Sequence, residues 1–195
     1  MSVSAALPQP RPRVLADVIP GAIARDLALI AGGAGFIGVL AQLAVHMPGT
    51  PVPITGQTLG VLLVGTAYGA RRAAAAIALY AVAGVLGVPW FAGHSSGYVN
   101  ASFGYVIGFL AAGTMCGFLA GRKADRSVRR SIPVMLAGQA LIYGAGMAWL
   151  AAVAHLTAGQ TISQGLLPFL LGDVIKAALA AGLTPIAWAL VDWRY

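Results

Sequence analysis

Charge is scarce in this sequence, and negative charge scarcest of all. Only 9% of the 195 residues are charged, the five acidic residues are all aspartate, and glutamate does not occur. A soluble globular domain carries about 25% charged residues, so that class is excluded. Cysteine occurs once, as Cys116 inside an apolar run, which excludes a disulfide framework and a cysteine metal site. Asparagine also occurs once, at Asn100. No Gly-x4-Gly-Lys-Ser/Thr phosphate loop is present, so ATP hydrolysis by that route is excluded, and no nucleophile stands with a base of its own. His46, His94 and His155 fall in three different loops without helical pair spacing, so neither a metal nor a cofactor is expected.

What the chain has in excess is apolar surface, at 59% hydrophobic residues. Several runs reach the roughly 17–25 residues that cross a bilayer. They are continuous instead of alternating, which selects helices over a β-barrel. The expected fold class is all-α, a polytopic membrane protein built as a six-helix bundle. Its spans fall at about 22–45, 54–69, 73–88, 104–120, 132–154 and 166–191. The second and third are short and suggest a tilted hairpin. Residues 1–20, with Pro8, Pro10, Pro12 and Pro20, are expected to form a flexible cytoplasmic tail ahead of a membrane domain over 21–195. The first apolar run is long enough to span, so no cleavable leader is expected.

Basic residues set the orientation. Of the 12 Lys and Arg residues, Lys176 falls within a span; the others cluster in the N-terminal region, the 2–3 turn, the 4–5 turn and the C-terminus. The 1–2, 3–4 and 5–6 loops hold none, which places both termini in the cytoplasm and the protein in the cell membrane. The net charge of +7 is therefore read as topology, and the run Arg122 to Arg130 as a cytoplasmic turn with no nucleic-acid partner.

Asp173 and Lys176 are the only acidic and basic side chains well inside an expected span. Each charge in hydrocarbon costs at least about 2.5–3.5 kcal/mol, so the two need a reason. Their spacing of three puts them on one helix face. They are either an ion pair that pins helices together or a polar ligand site inside the bundle. Two further features converge with them on the outer side. Thr55 and Gln57 stand at the mouth of the second span. The loop Pro89 to Phe103 mixes Trp90, Phe91 and Tyr98 with His94, Ser95, Ser96, Asn100 and Ser102 between glycines. Trp90 and Tyr98 could serve as an interfacial belt, but the density of polar groups beside them favours a ligand lid. Such a pocket suits a small solute with fixed donors and acceptors: a cyclic urea, an amide or a carboxylate.

Four stretches then carry a resemblance. Val52-Pro-Ile-Thr-Gly-Gln-Thr-Leu-Gly60, Gly87-Val-Pro-Trp-Phe-Ala-Gly93, Phe103-Gly-Tyr-Val-Ile-Gly-Phe109 and Gly165-Leu-Leu-Pro-Phe-Leu-Leu-Gly-Asp-Val-Ile-Lys176 resemble the motifs of the BioY family. Members are the biotin-specific substrate-binding (S) components of energy-coupling factor transporters. The resemblance covers about Ala22 to the C-terminus. It implies six helices, a biotin site closed by outer loops and no enzymatic activity. As partners it implies a membrane coupling subunit and two ATP-binding-cassette ATPases on other chains. By resemblance, Asp173 and Lys176 contact the ureido ring, Gln57 belongs to the first motif, and Asn100 is the candidate for the family's asparagine ligand. Ala24 and Ala28 resemble the Ala-x-x-x-Ala contact with the coupling subunit.

The chain departs from the pattern in two places. Where many relatives have a Gly-Pro-Thr-Gly-Gly-Tyr-like run, it has Asn100-Ala-Ser-Phe-Gly-Tyr105, and no arginine occurs in an outer loop. The biotin carboxylate would then fall to Tyr98, Ser102, His94 or backbone N–H groups, with Trp90 in the lid. An S component for another vitamin, a carrier working without partners, and a small membrane enzyme stand as alternatives. The last lacks a visible catalytic constellation.

Overall fold

A computed structural model describes residues 13–192. Residues 1–12 of the expected tail and residues 193–195 lie outside the described residues. The helices are α1 (Ile23–Gln42), α2 (Gln57–Tyr68), α3 (Ala70–Val85), α4 (Phe103–Ala120), α5 (Val128–Ala154), α6 (Ala158–Gly165) and α7 (Leu167–Asp192). A two-residue antiparallel pair, β1 (Ala44–Val45) with β2 (Ile54–Thr55), closes the loop between α1 and α2. Among the described residues four helices, α1, α4, α5 and α7, are long and apolar enough to cross a membrane. The expected second and third spans form α2 and α3, of 12 and 16 residues.

The helices form a closed ring in which α1 packs on α3, α3 on α4, α4 on α5, α5 on α7, α7 on α2 and α2 on α1. Across its middle α2 also packs on α4. Position in the ring explains composition. α2 is buried on several faces, including Gln57, Thr58, Val61, Leu62, Val64 and Thr66, so it needs no polar face. Its 12 residues make a rod only about 18 Å long, at 1.5 Å per residue. The shortfall is made up by the proline-stiffened loop and the β1–β2 pair, and a cavity opens where α2 begins.

Two expectations change in the structure. The polar loop expected from His155 to Gln164 contains helix α6. Thr157 caps it: its hydroxyl accepts from the Gln160 N–H, while the Gln160 side chain receives the Thr157 N–H at 2.9 Å. The expected flexible tail already meets the bundle at Val14 and Ala16, which are buried against Ala120. Asp17 anchors this segment through a 2.8 Å ion pair with Arg72. Burial alone would raise the Asp17 pKa, but Arg72 and the N–H groups of Val14 and Arg13 hold it below the ordinary range.

At the same end, Asp125 in the α4–α5 turn is buried and accepts the indole N–H of Trp188 on α7 at 2.6 Å. Burial pushes its carboxyl upward, with the Trp188 bond and Arg126 pulling the other way. This contact ties the end of α7 to the turn.

Helix α4 approaches its neighbours at glycine. A Cβ on Gly117 would stand 2.5 Å from Gly69 C and Ala70 N and 2.8 Å from Gly65 O, all backbone atoms that no rotamer change can move aside. Gly117→Val is therefore expected to lower stability by about 1–3 kcal/mol, the usual cost of overpacking. Gly144→Ala, where nothing stands within 4 Å of the new methyl, is the control. Thermal unfolding in detergent checks this: equal melting temperatures for the two variants would contradict the packing described.

Candidate functional site

The cavity lies between the start of α2, the loop before it, the start of α4, and the facing sides of α5 and α7. Its volume is about 590 Å³, counting the open space at its mouth. Val52, Phe91, Tyr105, Phe109, Ile142 and Phe169 form the apolar wall. Polar atoms enter from Thr55, Gln57, Thr58, Asn100, Ser102, Tyr143, Asp173 and Lys176.

The polar end is organised by Asp173. Its Oδ1 accepts from Lys176 Nζ at 2.8 Å and from the Thr58 hydroxyl at 3.0 Å. Its Oδ2 accepts the Tyr143 hydroxyl at 2.6 Å. Lys176 Nζ also donates to the carbonyl of Thr55 at 2.6 Å, tying α7 to β2. Residues from α2, α5 and α7 thus meet at one carboxylate, with β2 joined through Lys176, so the pair both joins helices and faces a cavity.

Counting hydrogen-bond capacity shows what this end can still hold. An ionised carboxylate has about four acceptor positions and an ammonium three donors. Asp173 uses three positions, leaving one on Oδ2; Lys176 uses two donors, leaving one. One open acceptor beside one open donor is the complement of an N–H next to a C=O, as on an amide or urea edge. Gln57 has less to give: its Nε2 donates to the Tyr80 hydroxyl at 2.7 Å and its Oε1 accepts from Thr55 Oγ1 at 3.0 Å. Asn100 shapes the loop before α4, where its Oδ1 accepts from the Ser102 N–H and hydroxyl at 3.1 and 3.0 Å.

The structure brings Gln57, Asn100, Ser102, Asp173 and Lys176 together around the cavity. Trp90, His94 and Tyr98 lie outside its lining. Trp90 backs the wall: its indole N–H donates to Tyr80 O at 2.9 Å, and its ring packs over Gly38. His94 is exposed, with its backbone N–H on Gln42 Oε1 at 3.2 Å. Tyr98 is more than half exposed and stacks edge-on against Phe103. Of the lid aromatics, Phe91 reaches the cavity. Ala24 and Ala28 are both exposed on α1.

Sequence reading alone leaves Thr58 and Tyr143 unassigned. Tyr143 had a signal, being one of two polar residues in its span beside Gln139; Thr58 is one helix position beyond Gln57. Among the described residues no group of three or more His, Cys, Asp or Glu side chains is arranged to hold a metal.

Removing one partner of a buried ion pair leaves a lone charge and costs about 3–5 kcal/mol. Lys176→Met is expected to lose stability on that scale. The double variant Asp173→Asn/Lys176→Met, with no charge left behind, should regain a large part of it. Thermal unfolding of the three proteins tests the coupling, and equal losses for the single and double variants would exclude it.

Comparison with known proteins is consistent over most of the chain. Residues 10–193 match the BioY family. The chain is 32% identical over 168 residues to the biotin transporter BioY of Rhizobium etli, covering 80% of this chain and 89% of that one. It is 36% identical over 157 residues to the biotin transporter BioY2 of Lactococcus lactis subsp. cremoris, covering 79% and 85%. Among solved structures it resembles the S component for biotin from an energy-coupling-factor-type ABC transporter. The TM-score is 0.75 at 25% identity, covering 83% of this chain and 89% of that one. Seven α-helices among the described residues, the match to an S-component fold, and a cavity organised by the Asp173–Lys176 pair agree with these relationships: the chain is an integral membrane protein of the BioY family.

Proposed function

We propose that this protein captures biotin from the outer face of the cell membrane and carries it inward as the S component of an energy-coupling factor transporter. The observation that carries the reading is the open acceptor of Asp173 beside the open donor of Lys176, at one end of a mostly apolar cavity. A ureido ring presents N–H and C=O groups along one edge and satisfies both. The fused rings and aliphatic tail suit the wall of Phe91, Tyr105, Phe109 and Phe169. Asn100 and Ser102 stand at the loop that would close over the ligand, with Gln57 bracing the entrance to α2.

The basic turns support an orientation with both termini in the cytoplasm and six membrane crossings, α2 and α3 crossing as a short pair. Partners would be a membrane coupling subunit, met along Ala24 and Ala28 of α1, and two ATP-binding-cassette ATPases. The protein itself would have no enzymatic activity and no cofactor, biotin being the cargo.

Purified protein in detergent is expected to bind biotin tightly and to ignore thiamine and riboflavin. A response to another vitamin with silence for biotin would overturn the substrate assignment. Asp173→Asn or Lys176→Met should reduce biotin affinity in protein that still folds; normal binding by both would make the pair purely structural.

Carboxylate recognition gives a second prediction. Lys176 is the only cation lining the cavity among the described residues, and it is engaged by Asp173 and Thr55. A grip made of neutral groups is weaker than a guanidinium fork. Biotin amide should therefore bind within about tenfold of biotin, a gap of about 1.4 kcal/mol. A loss many times larger, measured by competition, would require a cation at the tail.

A further inference from the structure

The far end of α2 opens on a second cavity, of about 1160 Å³ counting its open mouth. It lies where α1 and α3 begin and α2 and α4 finish, a helix length of about 18 Å from Gln57. Four arginines line it, Arg13, Arg71, Arg72 and Arg122, with two aspartates, Asp17 and Asp26. The acids are already engaged. Arg72 holds Asp17 at 2.8 Å and Asp26 at 2.9 Å, and Arg25 adds a 2.8 Å contact to Asp26. Asp17 Oδ2 also accepts the backbone N–H groups of Arg13 and Val14, both at 3.2 Å.

That leaves three guanidinium groups with no carboxylate among the described residues. No side-chain ion pair forms at Arg13 or Arg71, and Arg122 makes only a stacking contact, 4.1 Å from the centre of the Phe118 ring. In the first turn of α3, beside Gly69, no side chain caps the helix, so backbone N–H groups add to the positive field. The cavity is therefore built for an anion with several oxygens. Phe118 gives the source. It is half exposed on α4, one of the helices long and apolar enough to cross the membrane, and it places an apolar ring directly beside the Arg122 guanidinium. An apolar contact joined to a cationic one matches the boundary between acyl chain and headgroup, whereas a soluble phosphate would use the arginines alone.

We infer that this arginine-lined cavity binds the phosphodiester headgroup of an anionic membrane lipid, with Arg71 and Arg122 on the phosphate and Phe118 against the first part of the acyl chain. Bound there, the lipid would hold the N-terminal segment, α3 and α4 together at the end opposite the ligand cavity.

The test uses the full chain in neutral detergent, titrated with short-chain phosphatidylglycerol, short-chain phosphatidylcholine or inorganic phosphate. Native mass spectrometry and thermal unfolding provide the readouts. Phosphatidylglycerol is expected to bind saturably and raise the melting temperature, with phosphatidylcholine doing neither, and the effect should shrink as salt rises. Arg71→Gln/Arg122→Gln should weaken phosphatidylglycerol binding by about tenfold or more. Retained biotin binding in that variant would report an intact fold. Equal effects of the two lipids, or a wild-type effect indifferent to salt, would overturn the proposal without relying on any variant. Inorganic phosphate reproducing the whole shift would make this a soluble-anion site and overturn the lipid assignment. Unchanged lipid binding in the double variant, with loss of co-purifying coupling subunit, would make it a protein-docking surface instead.

Discussion

A buried carboxylate that must be satisfied governs this architecture. Asp173 lies in a bundle with few polar groups, where an uncompensated charge would cost more than most single interactions return. Its three donors come from α2, α5 and α7 itself, and Lys176 extends the network to β2. Those elements cannot shift independently without exposing a charge to hydrocarbon. The same network stops one bond short of saturation on each partner, which is what leaves room for a ligand.

The helical ring provides the setting. α2 is short and buried on several faces, and its late start opens space beside Asp173 that a longer helix would fill. The loop before it is stiffened by Pro51 and Pro53 and pinned by the β1–β2 pair. At the other end the glycine contacts of α4 bring backbones together, and the Asp125–Trp188 bond secures the end of α7. One end of the bundle is thus fastened by backbone packing and ion pairs beside the arginine-lined cavity, and the other is organised around the cavity at Asp173.

Much of this was legible in the chain because membrane constraints are severe. Continuous apolar runs can only be helices, so the helical class follows directly, and the two charges within one run mark the polar end of the cavity. Other features depend on contacts that no local pattern encodes. The polar composition of 158–165 predicts a loop; the cap residues Thr157 and Gln160 are the available sign of α6. The prolines around Val14 predict a flexible segment, yet two small apolar side chains there find a niche beside Ala120. Tyr143 could be noticed as a polar residue in an apolar helix, but its bond to Asp173 depends on how α5 and α7 face each other. Conversely, Trp90, His94 and Tyr98 looked like a lid because ligand loops use those residue types. Trp90 instead supports the wall from behind, and the other two face outward.

The most direct test of the central claim is an experimental structure of the protein with biotin bound, resolved well enough to place the ureido ring. The account predicts a ring nitrogen within hydrogen-bond distance of Asp173 Oδ2 and the ring oxygen within the same distance of Lys176 Nζ, with the Asp173–Lys176 contact retained. A ring held elsewhere in the cavity, with that pair and its bonds to Thr55, Thr58 and Tyr143 unchanged, would contradict it and leave Asp173 and Lys176 as a fastening between helices.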